Sequence, residues 1–180
     1  MSVRYADRFR IPFKGLKEGD HSFDFEIDDS FFEIFPESEI KEGSLHTEVI
    51  LHKSPRMLTF DFFIDGNVRV PCDRCLEMFD LPVSFTYTLY VKFGQERHEE
   101  SANTLIIPED DYFLNVSQYV YEFIHLALPL RRVHPDDDNG HPTCDPLMLK
   151  KLKELTVTEN KMKRYDERWS VLKGFTKNIN

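Results

Sequence analysis

The chain has 180 residues, a net charge of -9 and 41% hydrophobic residues, a balance typical of a globular domain and not of a disordered polymer. No run approaches the roughly 20 apolar residues of a membrane-spanning helix, and the opening MSVRYADRFR has no apolar signal-peptide core. We therefore expect one domain over residues 1–180 in the cytoplasm, where three cysteines do not form a disulfide framework.

The first two thirds of the chain show the alternation of apolar and polar residues that is typical of β-strands. The predicted strands are residues 21–27, 44–52, 57–64, 68–70, 83–93 and 104–107. Asp65-Gly66-Asn67 predicts a turn between the third and the fourth. Because the connections are short, an antiparallel meander is favoured over a parallel sheet, which needs long crossovers.

The last third is predicted to be helical. Asn115 and Gln118 have the spacing of a capping box, with Asn115 as N-cap, and the helix is expected to end at about Leu128. Asp145-Pro146 predicts the start of a second helix. Its apolar positions are Leu149, Leu152 and Leu155. The expected fold class is α+β: an antiparallel meander or partial barrel over residues ~20–107, with two or three C-terminal helices.

Charge is distributed unevenly along the chain. Residues 147–180 contain nine basic and four acidic residues, a net charge of +5, so the remaining residues carry -14. An acidic body of this kind disfavours nonspecific phosphate binding over its whole surface. The basic segment 147–180 could make phosphate contacts at one end of the molecule, or it could be a solvated surface.

Two cysteines, Cys72 and Cys75, follow a predicted strand and are separated by two residues. This spacing lets both sulfurs point to one place, which fits half of a tetrahedral zinc site, a redox dithiol, or packing alone. A redox pair is expected at the start of a helix, and here the chain leads quickly into another strand.

A second group of possible metal ligands follows about sixty residues later, in a loop rich in Pro, Asp and Gly between the two predicted helices. It contains His134, His141 and the remaining cysteine, Cys144. We predict a Cys3His zinc site formed by Cys72, Cys75, His134 and Cys144, with His141 as the alternative fourth ligand. Four protein ligands close the coordination sphere, which is typical of structural sites and not of catalytic ones. The alternative is a chance occurrence of these residues, because the spacing matches no common zinc-finger pattern.

The segment 71–77 (PCDRCLE), followed by a strand rich in Phe and Tyr, resembles the YceD-like family, the large ribosomal RNA subunit accumulation proteins. Residues 126–130 (LALPL), the basic step 131–135 before Cys144, and residues 166–172 (DERWSVL) are similar to other family segments. The resemblance covers nearly the whole chain, most strongly residues 66–175. It implies a bacterial cytoplasmic protein with a role in large-subunit assembly or ribosomal RNA stability.

The chain also departs from the family pattern. Many members have a cysteine pair in the second group, whereas this chain has Cys144 with His134 and His141. Glu167 replaces the proline that usually precedes the arginine of the C-terminal motif. The resemblance supplies no catalytic residues.

The favoured hypothesis is a non-enzymatic ribosome-biogenesis factor with a structural zinc ion. Its partner would be ribosomal RNA or a basic ribosomal protein, contacted through Arg74, Arg131, Arg132 and Arg168. A thiol oxidoreductase or metal-dependent hydrolase is one alternative, although the chain has no recognised catalytic motif and indicates no small-molecule substrate. A metal-free protein-interaction domain is the other.

Overall fold

The computed structural model describes residues 5–156, which form eight strands and three α-helices after a 3-10 turn at Asp7–Phe9. The strands are β1 (Arg10–Pro12), β2 (Gly19–Ile27), β3 (Glu42–Lys53), β4 (Met57–Pro71), β5 (Met78–Gly94), β6 (His98–Ser101), β7 (Thr104–Pro108) and β8 (Phe113–Asn115). The helices are α1 (Asp29–Phe32), α2 (Ser117–Leu126) and α3 (Pro146–Leu155). No helix within residues 5–156 is long and apolar enough to cross a membrane.

Six strands form one sheet in the order β2-β3-β4-β5-β7-β6, and β1 pairs with β8 in a separate ribbon. The predicted α+β class is confirmed, and within the described residues the sheet does not close into a barrel. The antiparallel meander holds from β2 to β5, but the prediction is wrong for residues 104–107, because β7 pairs with β5 in parallel. The chain first forms the edge strand β6 and then returns between β5 and β6, which gives β7 the direction of β5.

The turn predicted at residues 65–67 is also wrong, because β4 runs without interruption from Met57 to Pro71. Gly66 lies inside the strand, between Leu45 of β3 and Val83 of β5, with φ of +147°. A Cβ on Gly66 would collide with the Ser44 carbonyl oxygen and lie 2.6 Å from the Leu45 Cα. Glycine is therefore required here for two reasons: the two backbones approach closely, and the φ angle is one that other residues avoid. Both requirements occur inside strands as well as in turns, so the glycine alone did not identify a turn.

The core lies between the inner face of the large sheet and helix α2. Phe123 of α2 packs with its ring centroid 5.1 Å from Phe62 of β4 and 4.3 Å from Tyr87 of β5. The buried rings of Phe9 and Phe31, from the N-terminal part of the chain, also belong to the core, with their centroids 5.0 Å apart. Burial of these rings is the main stabilising contribution to the stack of sheet and helix.

The two predicted helices exist, and the details of their ends differ. Helix α2 begins at Ser117, one residue later than the predicted capping box requires, although the Asn115 side chain still accepts hydrogen bonds from the Ser117 N–H and hydroxyl. Gln118 donates to Glu122 instead of reaching back to the cap. The predicted cap of α3 is confirmed, since Asp145 accepts from the amides of Leu147 and Met148.

The apolar positions predicted for α3 are covered unequally. Leu149 packs against the core, whereas Leu152 is 42% exposed and Leu155 is 79% exposed. Helix α3 therefore contacts the body mainly through its first half.

We expect Gly66→Ala to lower the free energy of unfolding by about 2 kcal/mol or more, because it adds both a disfavoured φ and a backbone collision. Gly19→Ala separates the two effects, since Gly19 has φ of +119° and no atom within 4 Å of an added Cβ. Gly15→Ala, with neither feature, is the neutral control. Urea unfolding measures all three, and equal stabilities of the Gly66 and Gly15 variants would contradict the explanation.

Candidate metal centre

The first half of the centre is the loop Cys72–Glu77 that joins β4 to β5. The last paired residues of the hairpin are Pro71 and Met78. Within the loop, the Cys72 N–H donates to the Glu77 carbonyl and the Leu76 N–H donates to the Cys72 carbonyl, both at 2.9 Å. Leu76 has φ of +66° and is the only non-glycine residue with positive φ in the part of the chain that the structure describes. This tight loop directs both cysteine side chains to the same side.

The second half is the segment between α2 and α3, which the hairpin loop holds in place. Asp73 makes two hydrogen bonds with Arg132: its N–H donates to the Arg132 carbonyl at 2.7 Å, and its carboxylate accepts from the Arg132 N–H at 2.6 Å. The Arg132 guanidinium in turn bonds Glu39 at 2.7 Å. These contacts anchor the start of the segment, so that His134 and Cys144 lie beside the hairpin loop.

The four predicted ligands meet at one point. The Sγ atoms of Cys72, Cys75 and Cys144 and one ring nitrogen of His134 all lie within 4.8 Å of one another. Sγ of Cys72 is 3.8 Å from Sγ of Cys144, and Nδ1 of His134 is 3.4 Å from Sγ of Cys75 and 3.7 Å from Sγ of Cys144.

These distances fit a tetrahedral ion. With Zn–S bonds of about 2.3 Å and a Zn–N bond of about 2.1 Å, the edges of the tetrahedron are about 3.8 Å between two sulfurs and about 3.6 Å between sulfur and nitrogen. The three separations given above are close to these values, and the other pairs of ligand atoms lie within 4.8 Å. They are far longer than a disulfide bond, and all three cysteines are free thiols. The group can therefore hold a metal ion with three sulfur ligands and one nitrogen ligand.

Burial and hydrogen bonding give the thiols different acidities. Burial raises the pKa of Cys72, but the amides of Cys75 and Arg74, together with His134, outweigh it and lower that pKa to about 6. Burial and the two neighbouring sulfurs raise the pKa of Cys144 to about 11. Cys72 is thus largely ionised at neutral pH and can bind a cation. Ionisation of all three adjacent thiols requires a cation that neutralises their mutual repulsion.

His134 and His141 occupy different environments. The ring of His134 packs against Phe79, with centroids 4.6 Å apart, and its Nδ1 is directed at the sulfurs. His141 lies at an exposed turn, where its ring faces the Asp137 carboxylate at 3.4 Å and its N–H also donates to Asp137. The structure therefore places His134, and not the alternative His141, with the three cysteines.

The predicted partner-binding arginines that the structure describes differ in exposure. Arg131 is exposed and Arg74 is half-buried. Arg132 is directed inward, with a side chain only 19% exposed, and its hydrogen bond to Glu39 raises the pKa of the guanidinium. Its position indicates a structural role in holding the second segment. Arg168 lies outside the described residues.

Comparison with known proteins identifies the family of the chain. The model of the family described as "Large ribosomal RNA subunit accumulation protein YceD" matches residues 60–176, about two thirds of the sequence. The chain belongs to the YceD family. Searches of curated proteins and of solved structures returned no match. The YceD match includes all four residues of the metal centre, whereas β1 to β3 lie before it.

Sequence reasoning missed the residues that assemble the centre. Asp73, Glu39 and Phe79 contact the second segment but carry no spacing signal, because each is distant in sequence from its partner. Asp73 lies between Cys72 and Cys75 in the sequence, and this position was the one sequence feature that indicated a role in the centre.

We expect Asp73→Ala to release the second segment, because the substitution removes a charged acceptor from the Arg132 N–H. Amide exchange over residues 131–144 should speed up by about tenfold, equivalent to about 1.4 kcal/mol of local stability, while β3 and β4 exchange as before. Asp136→Ala, an exposed change in the same segment, is the control. Equal exchange in the two variants would show that the contact does not hold the segment.

Proposed function

We propose that this YceD family member is a non-enzymatic factor in ribosome biogenesis that acts in the cytoplasm and supports accumulation of large-subunit ribosomal RNA. A structural zinc ion bound by Cys72, Cys75, His134 and Cys144 rigidifies it. The family description supports the biological role, and the convergence of four suitable ligands supports the zinc ion. Zinc is favoured over harder cations because the donors are thiols and an imidazole, with no carboxylate.

A structural role for the ion follows from the closed set of ligands. The three cysteines are 0 to 3% exposed, and their sulfurs and one ring nitrogen of His134 lie within 4.8 Å of one another. A catalytic zinc ion needs an open position for water or substrate, which a full set of four protein ligands does not leave. Loading the ion would bind the hairpin loop to the segment between α2 and α3, a segment with little apolar material of its own.

A redox enzyme is the weaker alternative. The low pKa of Cys72 would suit a nucleophilic thiol, but the residue is 0% exposed. The pair Cys72 and Cys75 also lies in a β-hairpin loop instead of at the N-terminus of a helix, the usual place for a reactive dithiol.

We expect the protein purified without added metal to contain one zinc ion per chain. Cys72→Ser and Cys144→Ser should each lose most of the zinc, because a neutral hydroxyl is a poor substitute for a thiolate ligand. The thermal midpoint should fall by about 3 °C for each kcal/mol of binding energy lost. Elemental analysis and calorimetry measure the two effects.

The matched control is His141→Ala, which removes an imidazole from the same segment but outside the cluster. It should retain zinc and thermal stability. A metal-free wild-type protein as stable as the zinc-treated protein would contradict the site, and zinc loss in the His141 variant would contradict the ligand assignment.

Loss of the gene should lower large-subunit ribosomal RNA relative to small-subunit RNA, measured by quantifying both RNAs in the deletion strain. Wild type and His141→Ala should restore the ratio, whereas Cys72→Ser should restore it poorly because the segment between α2 and α3 is no longer held. An unchanged ratio in the deletion strain would contradict the proposed function.

A further inference from the structure

The outer face of the large sheet, opposite the core, is strongly acidic. Its residues alternate with the core residues on β2, β3, β4 and β5, and the strand register aligns them in cross-strand rows. Two such rows are Asp24–Glu48–Phe63 and Glu26–His46–Asp65. In the middle of this acidic face, the carboxylates are Asp20, Asp24, Glu26, Glu48, Asp61 and Asp65.

Two histidines lie between these carboxylates. His46 is 3.0 Å from Oε1 of Glu26 and 3.2 Å from Oδ1 of Asp24, and His52 is 2.7 Å from Oδ1 of Asp20. These hydrogen bonds raise the pKa of both imidazoles, as expected in a negative local field. Even with both histidines protonated, six carboxylates against two cations leave a charge of -4 on the face.

The described lysine and arginine at the two ends of the face do not neutralise it. Arg69 lies 3.5 Å from Glu42 and 3.3 Å from Asp80, and Lys92 bonds Glu100 at 2.6 Å. Each cation is thus paired with a carboxylate that is not among the six. The excess negative charge stays in the middle of the face.

Aromatic side chains interrupt this acidic surface on β4 and β5. Phe63 is 42% exposed at its centre, an unusual position for a large apolar ring on a solvent-facing strand. Beside it is an open groove of about 570 Å³. The outer-face residues that line it are Asp61, Phe63, Thr86, Thr88 and Tyr90. Ring faces next to a carboxylate suit a guanidinium or an ammonium group, which gains a cation–π contact and an ion pair together.

We propose that the acidic face and its groove bind a lysine- and arginine-rich extended segment of a partner protein. Charge complementarity selects this occupant, because a basic segment is steered toward the face and can place one cationic side chain over Phe63. RNA is repelled by the same charges, so any RNA contact belongs to another part of the molecule. The inference rests on the proposed function, since it names the partner class of a ribosome-biogenesis factor.

The test uses the full-length protein and a fluorescent, unstructured peptide in which arginine alternates with glycine and serine. The face variant combines Asp24→Asn, Glu48→Gln and Asp65→Asn. The control variant combines Glu33→Gln, Glu37→Gln and Asp110→Asn, which removes the same charge from exposed positions off the face. A third variant, Phe63→Ala, removes the ring without changing charge.

Fluorescence anisotropy at low salt should show wild-type binding that weakens as salt is added. We expect affinity to fall about tenfold or more in the face variant and about fivefold in Phe63→Ala, and to stay within about twofold in the control. A labelled single-stranded RNA, titrated with each protein in the absence of the peptide, should bind the face variant no more weakly than it binds wild type. The inference is overturned if wild type does not bind the peptide, if the two triple variants lose affinity equally, or if the face variant loses RNA affinity.

The outcome is separable from that of the proposed function. Peptide affinity is measured on purified protein, whereas the function is judged by ribosomal RNA in the deletion strain. A deletion strain with normal RNA and a face that still binds the peptide selectively would contradict only the function. Normal zinc content in the face variant would show that any loss of affinity does not come from damage to the metal centre.

Discussion

The structure depends on the meeting of two chain segments at one small cluster of sulfur and nitrogen atoms. The hairpin loop between β4 and β5 supplies two thiols, and the segment between α2 and α3 supplies a third thiol and an imidazole. The sheet is stabilised by its own apolar core, but the second segment has few buried side chains besides Cys144. Without an ion, this cluster brings together thiols that repel one another once ionised. With an ion, it would cross-link the β4–β5 hairpin loop to the segment between α2 and α3.

The ion and the acidic face have separate tasks in this account. The candidate centre lies at one end of the β4–β5 hairpin, beyond the Pro71–Met78 pair, where a bound ion would stabilise the segments that carry Arg131 and helix α3. The acidic face occupies the middle of the sheet, held by the cross-strand register alone. Under the proposed function, these two features would serve different partners.

The sequence predicted what depends on local pattern. Alternation indicated the strands from β2 to β5, and the Asp145 cap located α3. Cys72, Cys75, His134 and Cys144, predicted as metal ligands, lie together in the structure. Prediction from the sequence failed where tertiary contacts decide: Gly66 was interpreted as a turn residue but meets a neighbouring backbone. The parallel pairing of β7 and the inward direction of Arg132 likewise depend on partners distant in sequence, which one sequence does not reveal.

The most direct measurement of the central claim is zinc X-ray absorption on the purified protein. The account predicts a first shell of three sulfurs at about 2.3 Å and one nitrogen at about 2.1 Å, with no water ligand. A shell dominated by oxygen, or a fourth position occupied by water, would contradict a closed structural site formed by Cys72, Cys75, His134 and Cys144.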